Sequence, residues 1–169
     1  MFAQGLVFGA ETIKDGTVRF KEWPVGRGPE APKKVMTFEQ FSQKLQDASS
    51  RERAYALAVG CLKDRPRFDW TGVYSLEGDE LVLRSFVGKS TPHNRIPVGR
   101  GVCGTAIAEK EDQNVADVRK LENYLSCSLD ARSELVVLIR NGDEIFAQID
   151  IDSNVEGSFS EEDYQAVRQ

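Results

Sequence analysis

The chain has 169 residues, with 22 Lys and Arg against 27 Asp and Glu, a formal net charge of −5. That length suits one domain with a small appendage, and 40% apolar with 29% charged residues excludes a disordered chain. The acidic balance argues against nucleic acid or an anionic membrane as partner, and no apolar run approaches the roughly 18–20 residues of a membrane span.

The first residues, MFAQGLVFGAETIKDG, lack the positive start and apolar stretch of a signal peptide, so a cytoplasmic protein is expected. Residues 5–23 read as a hairpin: Leu6-Val7-Phe8 and Thr17-Val18-Arg19-Phe20 flank an Asp15-Gly16 turn. Residues 24–35 hold three prolines and two glycines and read as a linker. Thr37 with Gln40 is a capping box that opens a helix. A second helix follows Ser50, where Ala54, Leu57, Ala58, Cys61 and Leu62 fall on one apolar stripe; Pro66 ends it. Strands at 68–76 and 80–87 form a hairpin around Glu77-Gly78-Asp79. A Gly/Pro-rich loop to Gly101 leads into a short helix at about 102–109. A short strand at 113–116 and an irregular stretch at 117–132 follow. Residues 133–140 and 143–152 form a second hairpin around Asn141-Gly142, and Ser160 with Asp163 caps a last helix. This order predicts an α+β fold with helices on the faces of an antiparallel sheet.

Two of the three cysteines stand out. Cys103 lies at the start of a helix, where free amides and the helix dipole favour a thiolate; a small packing residue in a Gly-rich turn is the alternative. Cys127 lies in a loop without apolar periodicity, whereas Cys61 sits on the apolar stripe and is expected to pack. Gly99, Gly101 and Gly104 formally match GxGxxG, but a proline-containing loop precedes them, so no dinucleotide site is expected. The single histidine, His93, leaves no His-rich metal set, and no metal or cofactor is expected. On a strand, Asp150 and Asp152 share a face with Gln148, and Glu134 shares one with Val136 and Leu138. Carboxylates in such a row face either water, a cationic group in a ligand, or a metal. Trp70 and Tyr74 share a strand face across Gly72, as core aromatics or as a wall around a small ligand.

Taken together, WTGVY (70–74), IPVGRGVCGTA (96–106), Asp117-Val118, Cys127, SELVV (133–137) and DIDS (150–153) resemble the free methionine-(R)-sulfoxide reductases, which are single GAF domains. The resemblance covers about residues 36–168, in order and with matching spacing. It implies a GAF-like central antiparallel sheet of about five or six strands. The helices of 37–63 and the C-terminal helix pack on one face, and a small-molecule pocket lies on the other, under residues 88–132. Residues 1–35 form an N-terminal hairpin and linker extension, and 36–169 the GAF domain. The implied activity is thiol-dependent reduction of free L-methionine-(R)-sulfoxide. The family's nucleophile falls on Cys127 and a relay thiol on Cys103. Its pocket carboxylates fall on Glu134, Asp150 and Asp152, and its aromatic pair on Trp70 and Tyr74. His93 stands ten residues before Cys103, where the family usually carries its main resolving cysteine, and is placed in the substrate pocket. A thioredoxin-type protein is the implied reductant. Dimers are common in the family, and the sequence leaves the oligomeric state open. Two other classes compete: a GAF sensor or degenerate reductase that binds an amino-acid-like ligand without turnover, and a cyclic-nucleotide module, which an acidic pocket disfavours.

Overall fold

The computed structural model describes residues 9–12, 18–21, 38–125 and 130–168, with side chains from Gln40 onward. Two hairpins form its centre. β3 (Trp70–Glu77) and β4 (Glu80–Val87) pair antiparallel, as do β7 (Ser133–Asn141) and β8 (Glu144–Ser153), and β3 then pairs with β8. β5 (Arg95–Pro97) adds to the start of β4, and β6 (Gln113–Val115) to the outer edge of β7. These six strands match the expected antiparallel sheet. An N-terminal hairpin, β1 (Gly9–Thr12) with β2 (Val18–Lys21), extends it: β2 runs parallel to β4, with Val18 opposite Ser85 and Arg19 opposite Phe86. The first limb of this hairpin is Gly9–Thr12, three residues beyond the Leu6-Val7-Phe8 limb read from the sequence. Leu6-Val7-Phe8, the Asp15-Gly16 turn and Thr37 lie outside the described residues.

Period-two patterning decides what each face carries. In β7 and β8, Leu135, Val137, Ile149 and Ile151 point to one side, where α2 (Arg51–Leu62) and α4 (Glu161–Arg168) cover them with Val59, Leu62 and Val167. α1 (Phe38–Gln46) packs on α2. Ser50 caps α2 by accepting from Arg53 N at 3.2 Å, and Ser160 and Asp163 form the reciprocal box of α4, as their spacing predicts.

The α2 stripe differs from the sequence reading. The buried positions are Tyr55, Ala56, Val59 and Leu62, while Ala54, Leu57, Ala58 and Cys61 are half-buried. The segment is apolar nearly all round, so two stripes compete. The one carrying Tyr55 and Val59 removes more apolar area from water and wins. Cys61 is therefore not a core residue, although partial burial still pushes its thiol pKa up.

The opposite face is covered by α3 (Gly101–Glu109), which seats Val102, Cys103, Ala106 and Ile107 against Tyr74, Val136 and Leu138. A Cβ at Gly104 would meet the Pro97 carbonyl oxygen at 2.5 Å, so only glycine lets α3 approach β5 this closely. That contact fixes the height of Cys103 above the sheet. Among the described residues, no helix is long and apolar enough to cross a membrane.

Candidate active site

Three neighbouring strands present their α3-facing side chains in rows. Trp70, Asp152 and Glu134 form the first row, Gly72, Asp150 and Val136 the second, and Tyr74, Gln148 and Leu138 the third. The strand register therefore brings together Trp70, Tyr74, Glu134, Asp150 and Asp152, all of which the sequence singles out. Glu134, Asp150 and Asp152 are 2%, 0% and 1% exposed, so this is a buried carboxyl cluster and not a solvated sheet face. Above it, Cys103 Sγ lies 3.8 Å from Glu134 Oε1. One donor atom each from Cys103, Glu134 and Asp150 falls within 4.8 Å of the others, a set able to hold a cation.

Burial, more than any neighbour, pushes the Glu134 carboxyl well above its ordinary range, and the charges of Asp150 and Asp152 add to it. Asp152 is raised in the same way, by burial first and then by Asp150 and Asp69. Neither oxygen of Asp152 has a hydrogen-bond partner among the described residues, nor has either amide atom of Gln148. Both side chains face the interior of the site from β8.

The aromatic wall is held from several sides. Trp70 Nε1 donates to the Lys89 carbonyl at 3.0 Å, and the Tyr74 hydroxyl donates to the His93 carbonyl at 3.0 Å. The two rings lie 6.4 Å apart, and Trp70 stacks on Phe86 at 6.0 Å. His93 thus reaches the site through its backbone; its own amide donates to Thr91 Oγ1 at 3.1 Å and its residue is half-buried.

A cavity of about 250 Å³ opens beside this cluster, lined by Asp69, Trp70, Lys89, Asp130, Asp152 and Asn154. Four of these residues were not found from sequence. Lys89 and Asp130 form an ion pair across the mouth, 41 positions apart in the chain, a pairing only tertiary structure creates. Asp69 fastens the end of β8: its amide donates to the Asp152 carbonyl at 3.0 Å, and its Oδ2 accepts from Asn154 N at 2.8 Å. Its place immediately before Trp70 was the available signal.

Cys127 falls in residues 126–129, outside the described residues. The chain enters that stretch at Leu125, which packs in the same apolar cluster as Cys103, and leaves it at Asp130 on the cavity mouth.

The α3-covered face, with a buried carboxyl cluster between the sheet and α3, is the arrangement of a GAF domain. A solved GAF domain is 29% identical, with a TM-score of 0.67 over 76% of this chain and 80% of that one. No protein-family model matches the chain. The free methionine-R-sulfoxide reductase of Escherichia coli (strain K12) is 45% identical over 101 residues, 60% of this chain and 61% of that protein. This chain thus aligns with about three fifths of that relative's length. The X-ray structure of the free methionine-R-sulfoxide reductase from Neisseria meningitidis, in complex with its substrate, is 32% identical, with a TM-score of 0.72 over 76% of this chain and 78% of that one. The chain belongs to the free methionine-(R)-sulfoxide reductase family.

Proposed function

We propose that this protein reduces free L-methionine-(R)-sulfoxide to methionine, with Cys127 as nucleophile and residues 36–169 as the catalytic unit. The observation that carries the reading is the buried Glu134–Asp150–Asp152 cluster beside the Cys103 thiol and the Trp70–Tyr74 wall. Family membership supports the same substrate.

Each part of the site suits one part of that substrate. Glu134, kept protonated by its surroundings, donates to the sulfoxide oxygen. Asp150 and Asp152 face the ammonium, whose charge replaces the proton that such a cluster otherwise holds. Trp70 and Tyr74 enclose the methyl group and the side-chain carbons. The Cys127 thiolate attacks sulfur; the S–O oxygen passes to the cysteine, giving methionine and a sulfenic acid. A second thiol, Cys103, condenses with the sulfenic acid to a disulfide and water. A thioredoxin-type dithiol in the cytoplasm then reduces the disulfide and is itself oxidised.

His93 favours a second reading, binding without turnover, because it stands where the family usually carries its resolving thiol. A coupled assay with the free (R)-sulfoxide, thioredoxin, thioredoxin reductase and NADPH separates the two. Substrate-dependent NADPH loss that Cys127→Ser abolishes is expected. Saturable binding of the sulfoxide with no NADPH loss would overturn the enzyme reading in favour of the sensor.

A further inference from the structure

Three chemically active groups converge where α3 meets β7 and β8. The donor atoms of Cys103, Glu134 and Asp150 already lie within 4.8 Å of one another, and the Cys103–Glu134 contact is 3.8 Å. A tetrahedral zinc ion, with sulfur at about 2.3 Å and carboxylate oxygen at about 2.0–2.2 Å, needs donors roughly 3.3–3.7 Å apart. Side-chain movements of about 1 Å therefore close a three-donor site.

An independent observation points to a ligand at the same place. Asp152 stands directly opposite Glu134 in the β7–β8 register, is 1% exposed, and has no hydrogen bond to either oxygen among the described residues. A carboxylate taken out of water without a partner is costly, and an arriving cation relieves that cost. The donor chemistry selects the kind of cation. Calcium takes six to eight oxygens and magnesium a near-octahedral oxygen shell, so neither uses a thiol. One thiolate with carboxylate oxygens in a buried space suits a borderline-soft divalent ion of the zinc type.

We propose that Cys103, Glu134 and Asp150, with Asp152 at the fourth position, form a zinc-class cation site inside the pocket, open only when Cys103 is reduced. Binding releases the thiol proton and the protons held by the carboxyls, and no electron moves. A disulfide at Cys103 withdraws the thiolate and abolishes the site. The cation and an ammonium-bearing ligand would occupy the same carboxylates, so bound metal shuts the pocket. The inference rests on the buried cluster and stands whether or not the chain turns substrate over.

The test is equilibrium dialysis of the reduced protein against zinc chloride, in a phosphine reductant that contributes no competing thiol. One zinc per chain is expected, with a dissociation constant at least about 100-fold weaker in Cys103→Ser and in Glu134→Gln. Cobalt in place of zinc reads the sulfur directly: a thiolate-to-cobalt charge-transfer band is expected in the parent chain and in Cys61→Ser, and not in Cys103→Ser. Circular dichroism and thermal melts establish that each variant is folded; should Glu134→Gln not fold, Asp152→Asn takes its place, with weakening of at least about 10-fold expected. Absence of stoichiometric binding, binding unchanged in Cys103→Ser, or a cobalt band that follows Cys61 or Cys127 would each overturn the proposal. Both readouts count metal, so a chain that binds zinc yet fails the coupled assay loses only the reductase reading.

Discussion

The six-membered ring of the Trp70 indole closes over Gly72. A Cβ at position 72 would sit 2.3 Å from the ring's Cη2 and 2.7 Å from Cζ3, and one at Gly88 would sit 2.6 Å from Cδ1. Gly72 in β3 and Gly88 just past the end of β4 therefore make the slot in which the indole rests, and the Lys89 carbonyl pins its N–H. The aromatic wall of the pocket is positioned by residues that have no side chain.

Gly72→Ala is expected to push the indole toward the cavity. Overpacking of this kind costs roughly 1–3 kcal/mol, and the displaced ring narrows the space beside Asp152. Thermal denaturation should report the lost stability, and KM for the sulfoxide should rise by about tenfold, as a loss of roughly 1.4 kcal/mol of binding. A variant with lowered Tm but unchanged KM would show that the slot serves packing alone.

Gln148 is fully buried in the row between Tyr74 and Leu138, and both its amide atoms lack partners among the described residues. Removing an unsatisfied buried amide while keeping its volume recovers roughly 1–3 kcal/mol. Gln148→Leu should therefore raise Tm by roughly 2–4 °C per kcal/mol recovered. A fall in Tm would mean that the amide is satisfied in the folded protein, and the reading of this row would fail.

Much of this arrangement was legible in the sequence for a physical reason. In β7 and β8 the period-two alternation of Leu135, Val137, Ile149 and Ile151 against Glu134, Asp150 and Asp152 fixes which face is core and which is site, because a one-residue slip would bury the wrong set. The Ser160–Asp163 cap is equally local and is read correctly. Local signals failed where several solutions fit the same residues. α2 is apolar on nearly every side, so only packing selects Tyr55 and Val59 over Leu57 and Cys61. The Lys89–Asp130 pair and the Asp69 anchor depend on residues distant in sequence, which no spacing within one element reports.

Stability should fall as pH rises. The folded-state pKa values of Glu134 and Asp152 lie well above their ordinary values of 4.5 and 3.8, so between the ordinary and the raised values the folded chain binds more protons than the unfolded chain. The stabilising difference is fully present below the ordinary values and is lost as pH climbs through the raised ones. Glu134→Gln mimics the neutral acid and should flatten this part of the profile. Tm measured from pH 4 to pH 8 on both proteins checks it. Parallel profiles would show that folding does not raise the Glu134 pKa.

The residue at position 93 is expected to set the speed of the proposed thiol relay. Cys103 is 3% exposed, sits within α3, and is held at a fixed height by the Gly104–Pro97 contact while its sulfur faces Glu134. A disulfide requires Cα atoms within roughly 4.4–6.8 Å and suitably directed Cβ atoms, so a thiol fixed in a packed helix depends on its partner to come to it. A disulfide between Cys103 and Cys127 should therefore form slowly after one turnover, and peptide mapping after stoichiometric sulfoxide should find it. A cysteine at position 93 would instead stand on the loop whose carbonyl already accepts from Tyr74, at the edge of the pocket and outside any helix. His93→Cys is expected to raise the thioredoxin-dependent steady-state rate, and mapping should then find position 93 linked to Cys127. Cys103 still free after substrate, with no gain in rate from His93→Cys, would mean that external thiol reduces Cys127 directly and that the relay does not operate.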